Sequence, residues 1–90
     1  MSVKINIPST LSHLTGEQDV VDVNGNTVGE CLNQLVDQFP GVKEPLFAKG
    51  GKLNNVVEIY VNLESSYPEE LAKPVKDGDE IHLIIIVAGG

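Results

Sequence analysis

Residues 80–90 read EIHLIIIVAGG. In an extended chain, Ile81, Leu83, Ile85 and Val87 fall on one side, and Ile84 and Ile86 on the other. A strand apolar on both sides usually lies inside a sheet with neighbours on both edges. The segment then runs into Ala88, Gly89 and Gly90. Glycine adds no packing and loses more backbone entropy on ordering than any other residue. A Gly-Gly pair after the most apolar run of the chain therefore needs a reason other than stability.

Working outward from this strand, SVKINIP (2–8) alternates Val3, Ile5 and Ile7 against Lys4 and Asn6, and Pro8 closes it. STLSHLTGEQ is a polar connection, and DVVDV places Val21 and Val23 inward. These two strands fit a hairpin with a long loop. In NTVGECLNQLVDQFPG, Thr27 and Glu30 have capping-box spacing. Val28, Cys31, Leu32, Leu35, Val36 and Phe39 make one apolar stripe, and Pro40-Gly41 ends the helix. One short helical turn fits residues 42–55, with Leu46 and Phe47 as core residues. VEIYVNLE (57–64) predicts a strand with Val57, Ile59, Val61 and Leu63 on one face. An irregular connection follows, with a turn at Asp77-Gly78. The order is β-β-α-β-β: an α+β fold with a small mixed sheet, one main helix across it, and the first and last strands paired in parallel at its centre.

The 90 residues predict a single domain over 1–90, with a flexible Gly-Gly tail at about 87–90. No apolar run approaches the ~20 residues of a membrane span, and MSVKINIP lacks a signal-peptide core, so the expected location is cytoplasmic. Six lysines, no arginine and thirteen carboxylates give a net charge of −7. That balance argues against nucleic acid, where cationic side chains supply much of the affinity, and suits solubility or steering toward basic protein partners.

Signs of catalytic chemistry are sparse. Cys31 sits inside the helix stripe and reads as a buried small apolar residue. His13 and His82 belong to no cluster with metal-ligand spacing, so no metal site is expected. KGGK (49–52) lacks the residues and preceding strand of a phosphate loop. The carboxylates at 69–70, 77, 79 and 80 read as solvated turn residues. The chemistry is then expected at the chain end. A C-terminal carboxylate becomes an acyl donor when another enzyme adenylates it, and two glycines give the narrow, conformationally free tail that can thread into such a site.

The strand order, KDGDEI leading into the last strand and the terminal VAGG together resemble the ubiquitin-like bacterial sulfur carriers, the ThiS/MoaD family with a β-grasp fold. This family includes the small subunit of molybdopterin synthase and the thiazole-pathway carrier. The 5–32 segment, the GKL of 51–53 and the following EIYVN are most similar to the branch that feeds sulfur to cysteine synthesis. The resemblance implies a protein cosubstrate rather than an enzyme. Gly90 would be adenylated by a separate ubiquitin-activating-like adenylyltransferase using ATP and converted to a thiocarboxylate. Sulfide would then pass to a sulfur-accepting synthase. Gly89 belongs to the reactive tail; Ile84, Ile86, Val87 and Ala88 are expected to bind the partners. No bound cofactor, metal, nucleic acid or membrane is implied, and the free carrier is expected to be a monomer. Two alternatives remain: a molybdopterin synthase small subunit, and a ubiquitin-like modifier or docking subunit without sulfur transfer. In one departure, Ile85-Ile86 stand where relatives often carry proline, which leaves the base of the tail less pre-set.

Overall fold

In the computed structural model of this chain, residues 2–86 are described. Strands β1 (Ser2–Asn6) and β2 (Val20–Asn24) form an antiparallel pair, with Val3 opposite Val23 and Ile5 opposite Val21. Helix α1 (Val28–Gln38) follows, then the short α2 (Lys43–Leu46). Strands β3 (Val57–Val61), β4 (Glu64–Ser65) and β5 (Glu80–Ile85) complete a five-stranded sheet ordered β2-β1-β5-β3-β4. β5 is therefore central. It runs parallel to β1, with Ile5 opposite Ile81, and antiparallel to β3, with Ile59 opposite Leu83. This is the mixed sheet and parallel central pair expected from the apolar last strand.

The inward residues of four strands bury one face of the sheet against α1. Val3, Ile5, Val21, Val23, Val57, Ile59, Val61, Ile81 and Leu83 are buried with Val28, Cys31, Leu32 and Leu35 of the helix. Val36 and Phe39, at the margin of the stripe, are partly buried against this core. Thr27 caps α1: its Oγ1 accepts the Glu30 N–H at 3.1 Å. The Glu30 carboxylate reaches back to the Asn26 N–H at 2.8 Å, one residue upstream of the usual capping-box partner. Phe39, held extended (φ −136°, ψ 81°) ahead of Pro40, ends the helix. Gly25 makes the tight passage from β2 to the helix possible, since a Cβ there would stand 2.9 Å from both the backbone nitrogen and Sγ of Cys31.

Three expectations need correction. The 57–64 segment is not one strand: β3 ends at Val61, and a two-residue turn, Asn62-Leu63, reverses the chain into β4. Both turn residues have positive φ, 51° and 71°, as in the type I′ hairpin turns whose twist matches that of the strands. Leu63 is thus 78% exposed instead of lying in the core with Val61. The polar connections also contribute to the core, through Leu11, Val42 and Val75, together with the fully buried Thr15. Thr15 is satisfied by carbonyls of its own loop, those of Ser12 and Gln18, at 3.2 and 3.0 Å.

Asp79 is the third correction, because it is buried (7% exposed) rather than solvated. Its Oδ1 accepts from Asn62 Nδ2 and its Oδ2 from the Lys76 N–H, both at 2.9 Å. Asn62 Oδ1 in turn accepts the Glu80 N–H at 2.9 Å. Gly78, at φ +90°, donates its N–H to Ser2 O, and Lys4 donates its own to Asp79 O. One turn thereby ties the start of β1, the β3–β4 hairpin and the entry to β5. The Asn62 hydrogen bond is the main reason the Asp79 carboxyl titrates below its ordinary value, aided by the Lys76 backbone and charge. A carboxyl depressed in the folded state contributes stability that is present above its unfolded pKa, ~3.9, and lost as pH falls through the folded value. Asp79→Ala should lower stability by roughly 1–3 kcal/mol at neutral pH, the cost of unmaking buried hydrogen bonds. Its acid-unfolding curve should be flatter than wild type below about pH 4. Thermal melts from pH 7 to pH 2 measure both effects.

Candidate functional site

Among the described residues, no element packs over the second face of the sheet, and its outward residues Lys4, Asp22, Glu80 and Ile84 are exposed. α1 packs on the other side, and Leu46, a residue that could have covered it, is fully buried in the helix-side core. The strand registers set side chains across the open face in rows. Asp22, Lys4 and Glu80 make one row; Val20, Asn6, His82, Tyr60 and Ser65 make the next; Ile84 and Glu58 begin a third. The first row is polar and is paired within itself and with the second row. Lys4 Nζ meets Asp22 Oδ1 at 3.0 Å, and Glu80 Oε1 lies 3.4 Å from Asn6 Nδ2 and 3.7 Å from His82 Nε2. The far end is apolar: Ile84 and Ile86 are each 44% exposed. Ile84 and Ile86, two of the residues expected to bind partners, are thus accessible. Isolated exposed apolar side chains are ordinary, but a group of them on one face marks an interaction surface.

A shallow cavity of about 390 Å³ lies on this face. Ile7, Pro8, Tyr60, Leu63, His82 and Ile84 line it, with Asn6 and Leu83. Sequence reasoning did not find Tyr60 and Leu63. The alternation of residues 57–63 masked the turn, because leucine stands at the second position, where a hairpin of this type ordinarily has glycine. His82 is half-buried, as a sheet residue beside a cross-strand tyrosine should be.

The chain reaches its C-terminal segment from the apolar end of the open face. After β5, the Ile86 N–H donates to Val56 O at 2.7 Å. Proline has no N–H to make this bond. Isoleucine at 86 therefore anchors the base of the tail by a hydrogen bond, where a proline would hold it by ring geometry. The tail residues Val87, Ala88, Gly89 and Gly90 lie outside the described residues. Fully extended, four residues span at most roughly 13–14 Å.

Other features of the chain carry less chemistry. Cys31 is fully buried, and burial, reinforced by the Glu30 carboxylate, pushes its thiol up to about 11, so it stays protonated and unreactive. Among the described residues no three His, Cys, Asp or Glu side chains are placed to hold a metal ion. None of the described helices is long and apolar enough to cross a membrane. A larger cavity of about 800 Å³ lies between the C-terminal half of α1 and residues 40–51, and shares no residue with the open sheet face. Its four charged residues, Asp37, Glu44, Lys43 and Lys49, balance in sign. The KGGK segment beside it is a loop of one short turn with Gly50 and Gly51 both at φ +78°.

Comparison with known proteins places this geometry. The chain is 37% identical to the sulfur carrier protein CysO of Mycobacterium tuberculosis, over all of both chains. Its structure superposes on a chain of the Amycolatopsis orientalis BexX/CysO complex with a TM-score of 0.88 and 34% identity, covering 98% of this chain and 99% of that one. It also matches SAMP1 from Haloferax volcanii with a TM-score of 0.87 and 27% identity over all of both chains. The sheet and helix are thus those of a ubiquitin-like β-grasp, and a family model covers residues 5–90. This chain belongs to the ThiS family.

Proposed function

We propose that the protein is a sulfur carrier and a substrate of other enzymes rather than a catalyst. The Gly90 carboxylate is its reacting group. The carboxylate attacks the α-phosphorus of ATP in a separate ubiquitin-activating-like enzyme and releases pyrophosphate. A donor of sulfide-level sulfur, formally hydrosulfide, then displaces AMP from the acyl adenylate, leaving a terminal thiocarboxylate. That group delivers sulfide to an acceptor enzyme, favoured as one of the cysteine-forming type, and the carboxylate is restored by water. The single observation that supports this reading best is the full-length similarity to CysO, in a sequence that ends in Gly89-Gly90, a few residues past the central strand. No cofactor is needed on the carrier, since ATP belongs to the activating enzyme. The open sheet face around Ile84 and Ile86 would dock the carrier, with Val87 and Ala88 continuing the contact into the partner's active site.

The similarity to SAMP1, an archaeal modifier by name, favours one second reading: the same tail forms an isopeptide bond with a protein. Intact mass after incubation with the activating enzyme, ATP and a sulfur donor separates the two. A sulfur carrier gains only the difference between sulfur and oxygen; a modifier becomes a far heavier adduct.

Deleting Gly90 should abolish ATP-dependent adenylation. It withdraws the carboxylate by one residue, roughly 3.3–3.6 Å, and ~1 Å of misplacement can cost about a hundredfold in rate. Gly89→Ala should bind nearly as well and react more slowly. Neither change should shift the melting temperature, because terminal residues contribute few packed contacts. Pyrophosphate exchange beside a thermal melt is the measurement, and wild-type exchange by the Gly90 deletion would refute the proposal.

Ile86→Asp should weaken binding to the activating enzyme and leave folding largely intact, since the side chain is 44% exposed. A melting-temperature loss of the size expected for a charge forced into a core would assign Ile86 to the fold instead. The −7 charge should act mainly on association rate. Stopped-flow binding should slow as salt is raised, and a rate indifferent to ionic strength would leave the carboxylates a role in solubility alone.

A further inference from the structure

The Asn62-Leu63 turn holds a conformation that leucine resists. A branched, bulky residue at φ +71° is a backbone outlier. Glycine at this position would carry no such strain, and glycine is what a two-residue type I′ turn ordinarily has. The turn persists because its surroundings over-determine it. Asn62, an αL-tolerant residue, is fastened by its side chain to Asp79 and Glu80 and by its backbone N–H to Glu80 O at 2.8 Å. The strained leucine is not a core residue either, being 78% exposed. Strain and exposure together mean that the side chain serves neither the turn nor the core.

The side chain of Leu63 forms part of the cavity wall on the open sheet face, with Tyr60, His82, Ile84, Ile7 and Pro8. Besides Asp22, two carboxylates stand on this face. Glu58 lies opposite Ile84 in the strand register, its Oε1 3.5 Å from the Tyr60 hydroxyl, and Glu80 flanks His82. Lys4, the lysine on the same face, is already paired with Asp22. The cavity is therefore an apolar recess, and beside it stands the Glu58 carboxylate, which enters no salt bridge among the described residues.

We infer that Leu63 is a specificity-determining residue of the docking face: with Tyr60, His82 and Ile84 it forms a recess for one large apolar side chain of a protein partner, flanked on that partner by lysine or arginine. This rests on the proposed role of the open face in docking the activating enzyme. It adds a second anchor, on the β3–β4 hairpin, away from the tail. An apolar recess gives affinity through burial, and the Glu58 carboxylate beside it, with the net charge of −7, selects a basic surround and speeds encounter. A partner lacking the apolar residue would leave Leu63 in water; one with acidic flanks would be repelled.

The test uses the full chain and, as probe, the purified ubiquitin-activating-like adenylyltransferase from the same genome. Leu63→Gly should weaken binding by roughly tenfold, about one leucine's worth of apolar burial. The same variant should melt at the wild-type temperature or a few degrees above it, because strain is relieved and little packing is lost. Glu58→Gln should slow association. Ile84→Asp serves as the control for the face itself. If Ile84→Asp weakens binding and Leu63→Gly does not, the Leu63 anchor is overturned and the docking face stands. If neither weakens it, the docking face fails and the anchor with it. A clear fall in the melting temperature of Leu63→Gly would assign the leucine to the fold and overturn the inference. An association rate unchanged by Glu58→Gln would overturn the basic surround.

Discussion

The parallel pairing of β1 with β5 is the constraint on which the rest of the molecule depends. Two strands at opposite ends of the sequence lie side by side, Ile5 against Ile81. Parallel neighbours require a crossover, and here the crossover contains the helix, the loops and the β3–β4 hairpin. Because β5 is central, its inward side chains are covered by α1 and both its edges are hydrogen-bonded. Ile86, at the end of this strand, is thereby fastened to an element paired on both edges.

The turn before β5 and the β3–β4 turn make one polar knot at the end of the sheet away from the tail. Asp79, Asn62, Lys76 and Glu80 exchange hydrogen bonds there, and the backbone of β1 joins through Ser2 and Lys4. The knot is where the fold binds its non-local pieces together without apolar surface. It also sustains a positive φ at Leu63, so that a stabilising network and an exposed apolar side chain are consequences of the same few residues. The open face thus passes from the Lys4–Asp22 pair at one end to Ile84 and Ile86, beside the single charge of Glu58, at the other.

A tail anchored by a hydrogen bond differs from one anchored by proline rings. The Ile86 N–H to Val56 O bond continues the β3–β5 edge one residue past the strand. Such a bond can open and reform, whereas a proline ring fixes φ permanently. The position of Ile86 is consequently linked to the integrity of the β3 side of the sheet.

The sequence by itself determined the elements with strong local periodicity. The helix stripe from Val28 to Leu35, the Thr27–Glu30 cap, the alternations of β1 and β2, and the central place of the last strand all followed from side-chain spacing, because each is a property of neighbours along the chain. Family membership followed from the combination of strand order and Gly-Gly ending. Tertiary structure alone decided three things. It turned Leu63 outward, because the reversal at 62–63 is held by Asn62 bonds to residues some 17 positions away. It buried Asp79, whose burial is tolerable only once Asn62 and the Lys76 N–H are in place. It left Ile84 and Ile86 on an uncovered face, since an apolar pattern on two sides of a strand shows that both sides avoid water, and only the position of α1 settles which of them the chain itself covers.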